Sequence, residues 1–396
     1  MKITDAKTFV VANPPPSFGG RYWVFLRLVT DSGIVGYGEA YSLPFHPVVV
    51  AGMIEDVCAR HVINADPFRI EQLWRVIYSA GYSQRSGTAL MGVLSAIEMA
   101  CWDIVGKELD RPIYDLLGGR VRERIRSYTY LYPNEGDTRD VYTDPDLAAE
   151  RAAEYVARGF TAVKFDPVGP YTAYDPRQLS RAMLSRSEAF VRKIREAVGD
   201  RADILVGTHG QMTAAGAIRL ARTLEPYDPL WFEEPVPPEN EDEMAKVARA
   251  ISIPVAAGER LASKYEFQRL LRCGAAAILQ INLGRVGGIL EAKKIAGMAE
   301  ASYLQIAPHL YCGPIVGAAA IQIGTCSPNL LIQEGILGWG GFHAELLRQP
   351  VDWEEGYILP PTDPGLGVEL DEAVAEAHPY TGTELHLVTG EQEPEV

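Results

Sequence analysis

A polar residue closes one short apolar run after another at nearly constant spacing. His209 ends ADILVGTH, Glu233 ends LWFE, Glu259 follows IPVAAG, Asn282 ends AAILQIN, His309 ends YLQIAPH and Glu334 ends LIQE. Successive members of this series lie 23 to 27 residues apart. Asp166 closes an earlier run, TAVKFD. Between the Glu233 and Glu259 runs, Met244, Val247 and Ile251 recur at helical spacing. Strand, helix, strand is the unit of a parallel sheet. Repeated at this interval it predicts a (β/α) barrel, whose chemistry gathers at the C-terminal ends of its strands. The repetition is structural, with no sequence repeat behind it.

A carboxylate at the end of a buried strand is costly without a partner, and two on adjacent strands repel. A divalent cation removes both difficulties. Glu233 and Glu259 are therefore candidate metal ligands. The alternative is that each is a solvated strand end.

A chain of 396 residues exceeds one ordinary domain and suits a barrel plus an accessory domain. The net charge of −15 argues against nucleic acid and anionic membranes as partners. An anionic substrate must then be met by local cations. The five cysteines form no CxxC and have no metal-like spacing, as expected of reduced thiols in a cytoplasmic protein. The first residues carry no leader-like apolar core, and no apolar run is long enough to span a membrane.

In chain order, residues 2–12 alternate as a strand, and Tyr22–Thr30 and Gly33–Glu39 are strands joined at Asp31-Ser32-Gly33. The pattern is helical from about 48 to 118, and Gly87–Gly106 is apolar on nearly all sides, which predicts a buried helix. This gives an α+β region over 1–124, strand–helix alternation over 125–350, and a Pro- and Gly-rich tail over 351–396. The loops at 14–22 and 42–47 are surface loops by composition. Gly284-Arg285-Val286-Gly287-Gly288 precedes a helix; it can be read as phosphate-binding, but suits a tight strand-to-helix turn better.

Several segments, in order, carry a family resemblance: WVFLRLVTDSGIVGYGEA, IEMACWDIVGK, LLGGRVRERI, LEPYDPLWFEEPV, IPVAAGER, QINLGRVGGI, APH and PGLGVELDE. Together they resemble the mandelate racemase subgroup of the enolase superfamily, and its acid-sugar dehydratases in particular. The resemblance implies a modified (β/α)7β TIM-like barrel, with an α+β capping domain built from the N-terminal region and completed by the C-terminal tail. The cap loops would close over the substrate. It also implies Mg²⁺ as cofactor, a small anionic sugar acid as substrate and a homo-oligomer. The shared first step is removal of the proton α to a carboxylate, with the enediolate stabilised on the metal.

Residue by residue, Glu233 and Glu259 match metal ligands. The family's third carboxylate, an Asp two residues before the histidine of a DxHG segment, is Gly207 in Gly207-Thr208-His209-Gly210. Asp166 shares a strand face with Lys164 and is the expected substitute ligand; the plainer alternative is that the two simply pair. His309 matches the family's general base, and its usual Asp partner is Asn282 here. His209 matches the acid that protonates a leaving hydroxyl. Glu334 and Lys164 match groups that meet the substrate carboxylate. Arg260 and Arg285 are plausible but more often structural, while Arg21, Tyr22, His46 and Arg85 are cap candidates. The expectation is a metal-dependent dehydratase. The rivals are an isomerase working through the same enolate (racemase, epimerase or lactone cycloisomerase) and a non-catalytic ligand-binding barrel.

Overall fold

The structure is a computed structural model and describes residues 1–41, 44–82, 84–387 and 389–391. An antiparallel sheet comes first: β1 (Ile3–Ala12), β2 (Tyr22–Thr30) and β3 (Val35–Ala40), in that order. Helices α1 (Pro47–Val57), α2 (Ile70–Ser79) and α3 (Thr88–Glu108) follow. α3 is apolar enough to pass for a membrane span, but most of it is buried against the sheet. Glycine in β3 permits that contact: a Cβ on Gly38 would lie 1.8 Å from the Ala96 carbonyl oxygen.

The alternation then begins. Strands β4 (Ile125–Tyr130), β5 (Ala162–Phe165), β6 (Asp203–Gly207), β7 (Trp231–Glu233), β8 (Val255–Ala257), β9 (Ile278–Leu279) and β10 (Gln305–Ile306) pair in sequence, all parallel. β11 (Gln333–Gly335) returns to pair parallel with β4, placing Glu334 opposite Tyr128. No ladder joins β10 to β11 among the described residues. Instead Ile306 N donates to Asn329 O, Leu331 N to Ile306 O, and Glu334 N to Pro308 O. Tyr128, Ala162, Leu205, Trp231, Ala256, Ile278, Ala307 and Ile332 form one buried group inside these strands. Each comes from a different strand or its immediate flank, as expected of inward-facing side chains on such strands.

Helix ends follow the local sequence. Asp144, Ser180, Thr213 and Asn240 cap the helices Pro145–Ala157, Arg181–Val198, Ala214–Leu224 and Glu241–Ala250 with side-chain oxygens. The helix Ile289–Ala301 is capped differently: Glu98, on α3, accepts from Ile289 N and Leu290 N at 2.6 and 2.8 Å. A buried carboxylate thus already fills the place a phosphate would take. Glu39 does the same at Pro314–Cys326, accepting from Gly313 N and Val316 N at 2.6 and 2.9 Å. These two carboxylates fasten the N-terminal domain to the parallel-sheet domain.

The tail divides its work. Its hairpin, β12 (Trp353–Glu354) and β13 (Tyr357–Ile358), pairs antiparallel with the start of β4 rather than joining the cap. Farther on, Ala12 N donates to His378 O and Tyr380 N to Val10 O, so this stretch extends the N-terminal sheet. The 14–22 loop lies over the sheet domain, with Phe18 stacked on Tyr132 at 4.2 Å. Of the 42–47 loop, Ser42 and Leu43 lie outside the described residues.

Candidate active site

The polar residues that close the apolar runs come together at the C-terminal ends of the strands, and most are almost wholly buried. Lys164 lies within β5, and Asp166 follows that strand. Register sets Lys164 opposite Tyr130 on one side and Leu205 on the other. Its Nζ lies 2.6 Å from Glu233 Oε1 and 3.2 Å from Glu334 Oε1. Burial alone would lower the Lys164 pKa, but the Glu233 and Glu334 charges outweigh it and push the pKa well up.

Lys164 also accounts for Gly207. A Cβ on Gly207 would stand 2.5 Å from Lys164 Cε and 2.8 Å from its Cγ. The lysine stem fills the space in which a side chain at 207 would begin. The missing carboxylate and the lysine are thus a steric pair.

Asp166, expected as a substitute metal ligand, has its carboxylate occupied by other partners. Its Oδ2 receives His209 Nδ1 at 3.1 Å and Gln211 Nε2 at 2.7 Å. Its Oδ1 receives Val168 N at 2.8 Å, so both oxygens are engaged. Nor does it pair with Lys164. Burial lowers the affinity of His209 for a proton, but the Asp166 hydrogen bond and the Glu259 charge more than compensate, so its pKa is raised.

His309 is in the opposite state. Asn282 Nδ2 stands 2.8 Å from its Nδ1, and no carboxylate supports that side. Its Nε2 faces Glu259 Oε2 at 3.4 Å and Glu334 Oε2 at 4.0 Å. Burial outweighs the attraction of both carboxylates and lowers the His309 pKa. Glu334 Oε2 is fixed by Leu310 N at 2.8 Å, and Glu233 Oε2 by Trp231 Nε1 at 3.1 Å.

Two carboxylates remain as a possible metal seat. Glu233 Oε1 and Glu259 Oε2 are buried and accept no well-directed hydrogen bond, although Lys164 and His309 stand close to them. Burial pushes Glu233 up to about 8 despite Lys164. Burial would raise Glu259 too, but His309, Lys164 and His209 hold it well below the usual carboxylate range. Two buried carboxylate oxygens, one beside Lys164 and one beside His309, are hard donors of the kind a divalent cation takes. Among the described residues no three His, Cys, Asp or Glu side chains form a ligand group. Glu233 and Glu259 would hold such a cation, which would supply positive charge beside the substrate.

The remaining candidates are structural. Arg260 donates to Glu234 Oε2 at 2.5 Å and to His209 O at 3.1 Å. Arg285 donates to Glu259 O at 3.3 Å and packs over the Tyr41 ring. Arg21 pairs with Glu384, Tyr22 OH accepts from His386 N, and His46 caps α1. Arg85 lines a surface cavity of about 700 Å³ with Arg75, Tyr265 and Arg269, none of which belongs to the strand-end group. Sequence reasoning missed Gln211 and Tyr130, which hold Asp166 by its carboxylate and its backbone N–H. Gln211 lies two residues past His209 and shares its loop; that spacing was the only available signal.

With this geometry in view, the comparisons with known proteins place the chain. A profile of the mandelate racemase / muconate lactonizing enzyme N-terminal domain matches residues 9–118, and an enolase C-terminal domain-like profile matches 147–374. The class is an enolase-superfamily enzyme, in which an N-terminal capping domain accompanies a C-terminal TIM barrel and a divalent metal, usually Mg²⁺, takes part. The chain belongs to the mandelate racemase/muconate lactonizing enzyme family, and it is a hydro-lyase. It is 38% identical over 380 residues to the D-galactonate dehydratase of Ralstonia nicotianae, covering 94% of this chain and 93% of that one. The crystal structure of a mandelate racemase/muconate lactonizing enzyme from Sulfitobacter sp. superposes with a TM-score of 0.97 at 52% identity, covering 100% of both chains. The counterpart from Jannaschia sp. CCS1 gives 0.95 at 47% identity, covering 98% of this chain and 100% of that one.

Proposed function

We propose that the protein dehydrates a sugar acid by removing the proton α to the carboxylate and expelling the β-hydroxyl. The observation that carries this reading is the buried strand-end group itself. It sets two histidines in opposite electrostatic states beside one lysine and two buried carboxylates. Glu233 and Glu259 would hold Mg²⁺, which when bound supplies positive charge to the enediolate oxygens. Lys164 meets the anionic substrate as the buried cation of the group, and Glu334 orients it by hydrogen bonding. The histidines move the protons. Burial excludes bulk water, so these fixed charges act at low dielectric. The D-galactonate dehydratase relative supports the substrate class. Five free cysteines support a cytoplasmic location. The expected homo-oligomer is checked by sedimentation.

The test is a sugar-acid library, D-galactonate included, incubated with the protein and Mg²⁺ and read by release of a 2-keto-3-deoxy acid. One member should give carbonyl product. A product isomeric with its substrate would replace dehydration by the isomerase reading, and no turnover across the library would refute both.

A further inference from the structure

Two adjacent glycines in the loop before β2 each face a buried histidine ring. A Cβ on Gly19 would stand 2.9 Å from His343 Cε1, and one on Gly20 only 1.7 Å from His386 Cε1. At Gly20 the φ of +105° favours glycine as well. The two rings come from far along the chain. His343 lies in the short helix Phe342–Glu345, and its Nε2 is 2.9 Å from Cys312 O. His386 lies in the tail, beyond the point where Tyr380 N donates to Val10 O. Its Nδ1 is 3.1 Å from Tyr22 O and its Nε2 3.0 Å from Tyr311 O, and its backbone N–H donates to Tyr22 OH. The rings of Tyr22, Tyr41 and Tyr311 surround it, with centroids 5.4, 5.2 and 5.7 Å away. Tyr22 opens β2 in the cap, while Tyr311 follows His309 by two residues in the loop after β10. One ring therefore touches both lips of the site. Tyr41 packs against the His386 ring and, at 6.2 Å, against the His309 ring. Farther on, Ala173 N donates to Gly390 O at 2.9 Å, and the Tyr171 ring lies 5.4 Å from the His209 ring. The tail thus meets the cap, the loop after β10 and the loop after β5 in turn.

We propose that His386 is a positioning residue: it clasps the cap loop at 14–22 to the loop after β10 and so holds the site closed over a sugar acid. The enclosed substrate rests on the dehydratase reading; the clasp itself does not. His386 acts through Tyr22 and Tyr311. Whichever N–H the ring carries, a carbonyl oxygen stands in place to accept it, and at 4% exposure water competes poorly for either. Gly20 is the condition for this contact, because any side chain there would take the space of the ring. His343 ties the same loop region from the other side, through Cys312 O, but it belongs to the sheet domain and reaches no carbonyl of the cap loop. The tail alone therefore bridges the two lips by hydrogen bonding through a single ring. A site already closed before substrate arrives is preorganised. Closure then draws less on binding energy, and apparent affinity follows the fraction of protein that is closed. Loss of His386 lowers that fraction, so its effect falls on binding rather than on proton transfer.

The first measurement needs no substrate. Hydrogen–deuterium exchange of the full chain should quicken about 10-fold or more over residues 17–23 in His386→Ala, the size of losing one or two buried hydrogen bonds, while α3 and β4 keep the wild-type rate. Gly20→Ala, whose methyl group displaces the ring, should loosen the same segment. Unchanged exchange over 17–23 in His386→Ala overturns the proposal. So does faster exchange spread evenly over the chain, which would mark a loss of global stability instead of an opened clasp. The second measurement follows whichever sugar acid the library screen turns over. His386→Ala should raise KM about 10-fold and leave kcat within about 3-fold of wild type. A fall in kcat at unchanged KM overturns the proposal, because it would place His386 in the chemical step. Product from no sugar acid with the wild-type protein strikes the dehydratase reading, and the exchange result then decides the clasp by itself.

Discussion

Gly207→Ala probes the relation between that glycine and Lys164. A methyl group at 207 would sit 2.5, 2.8 and 3.2 Å from Lys164 Cε, Cγ and Cδ, all inside van der Waals contact. The lysine cannot simply swing away, because its far end is held by Glu233 and Glu334, with side chains only 3, 0 and 7% exposed. If the stem bends with the ion pairs kept, the overpacking costs about 1–3 kcal/mol. If the ion pairs break, the cost is about 3–5 kcal/mol, because buried carboxylates lose their cation. Removing a glycine from the unfolded chain returns about 0.4–1 kcal/mol. The expected net loss is about 2–4 kcal/mol, read as a lower urea midpoint with an unchanged m-value. In a Lys164→Ala background the stem is gone and the same substitution should cost almost nothing, so the double-mutant cycle should show coupling of about 2 kcal/mol or more. Gly207→Ala within about 0.5 kcal/mol of wild type, the ordinary range for a neutral change, would refute the steric argument. A carboxylate at 207 would meet the same contacts unless the Lys164 stem moved.

Glu259→Gln should remove a charge from the metal seat, cutting Mg²⁺ affinity in calorimetric titration and abolishing turnover while far-UV circular dichroism is unchanged; full activity under EDTA would show that Glu259 holds no metal. His343 is buried, its pKa lowered to about 4 by loss of solvation. It contributes stability that is whole above about pH 6.5 and is lost as pH falls toward 4, about 3 kcal/mol from a shift of that size; urea midpoints flat from neutral pH to pH 4 would contradict this. Burial raises Glu98 to about 8 despite its two backbone hydrogen bonds. Its contribution is therefore present below the usual carboxyl range and drains away as pH rises through about 8, and Glu98→Gln should flatten that slope while costing about 1–3 kcal/mol for the N–H left unpaired.

The alternation of apolar runs and helical stretches was legible because strand and helix periodicities are local properties of the backbone. It placed β5 to β11 in order, each overlapping the apolar run read for it, and set Lys164, Asp166, His209, Glu233, Glu259, Asn282, His309 and Glu334 at one end of the sheet. Parallel strands all run the same way, so residues at matching strand ends must gather. The break at Gly207 was equally visible in the sequence.

What the sequence did not contain was the pairing within that gathering. Asp166 and Lys164 lie two apart and share a face, yet one meets His209 across β6 while the other meets Glu233 and Glu334. Strand register and side-chain rotamers decide between such partners, and neither leaves a local pattern. The same holds for Glu39 and Glu98, whose partners lie some 270 and 190 residues away. The sequence by itself determined which chemical groups reach the site. Only the tertiary structure decided that Lys164 fills the space above Gly207, that Asp166 orients a histidine, and that Asn282 meets Nδ1 of His309, because each depends on distances across strands that spacing along the chain does not encode.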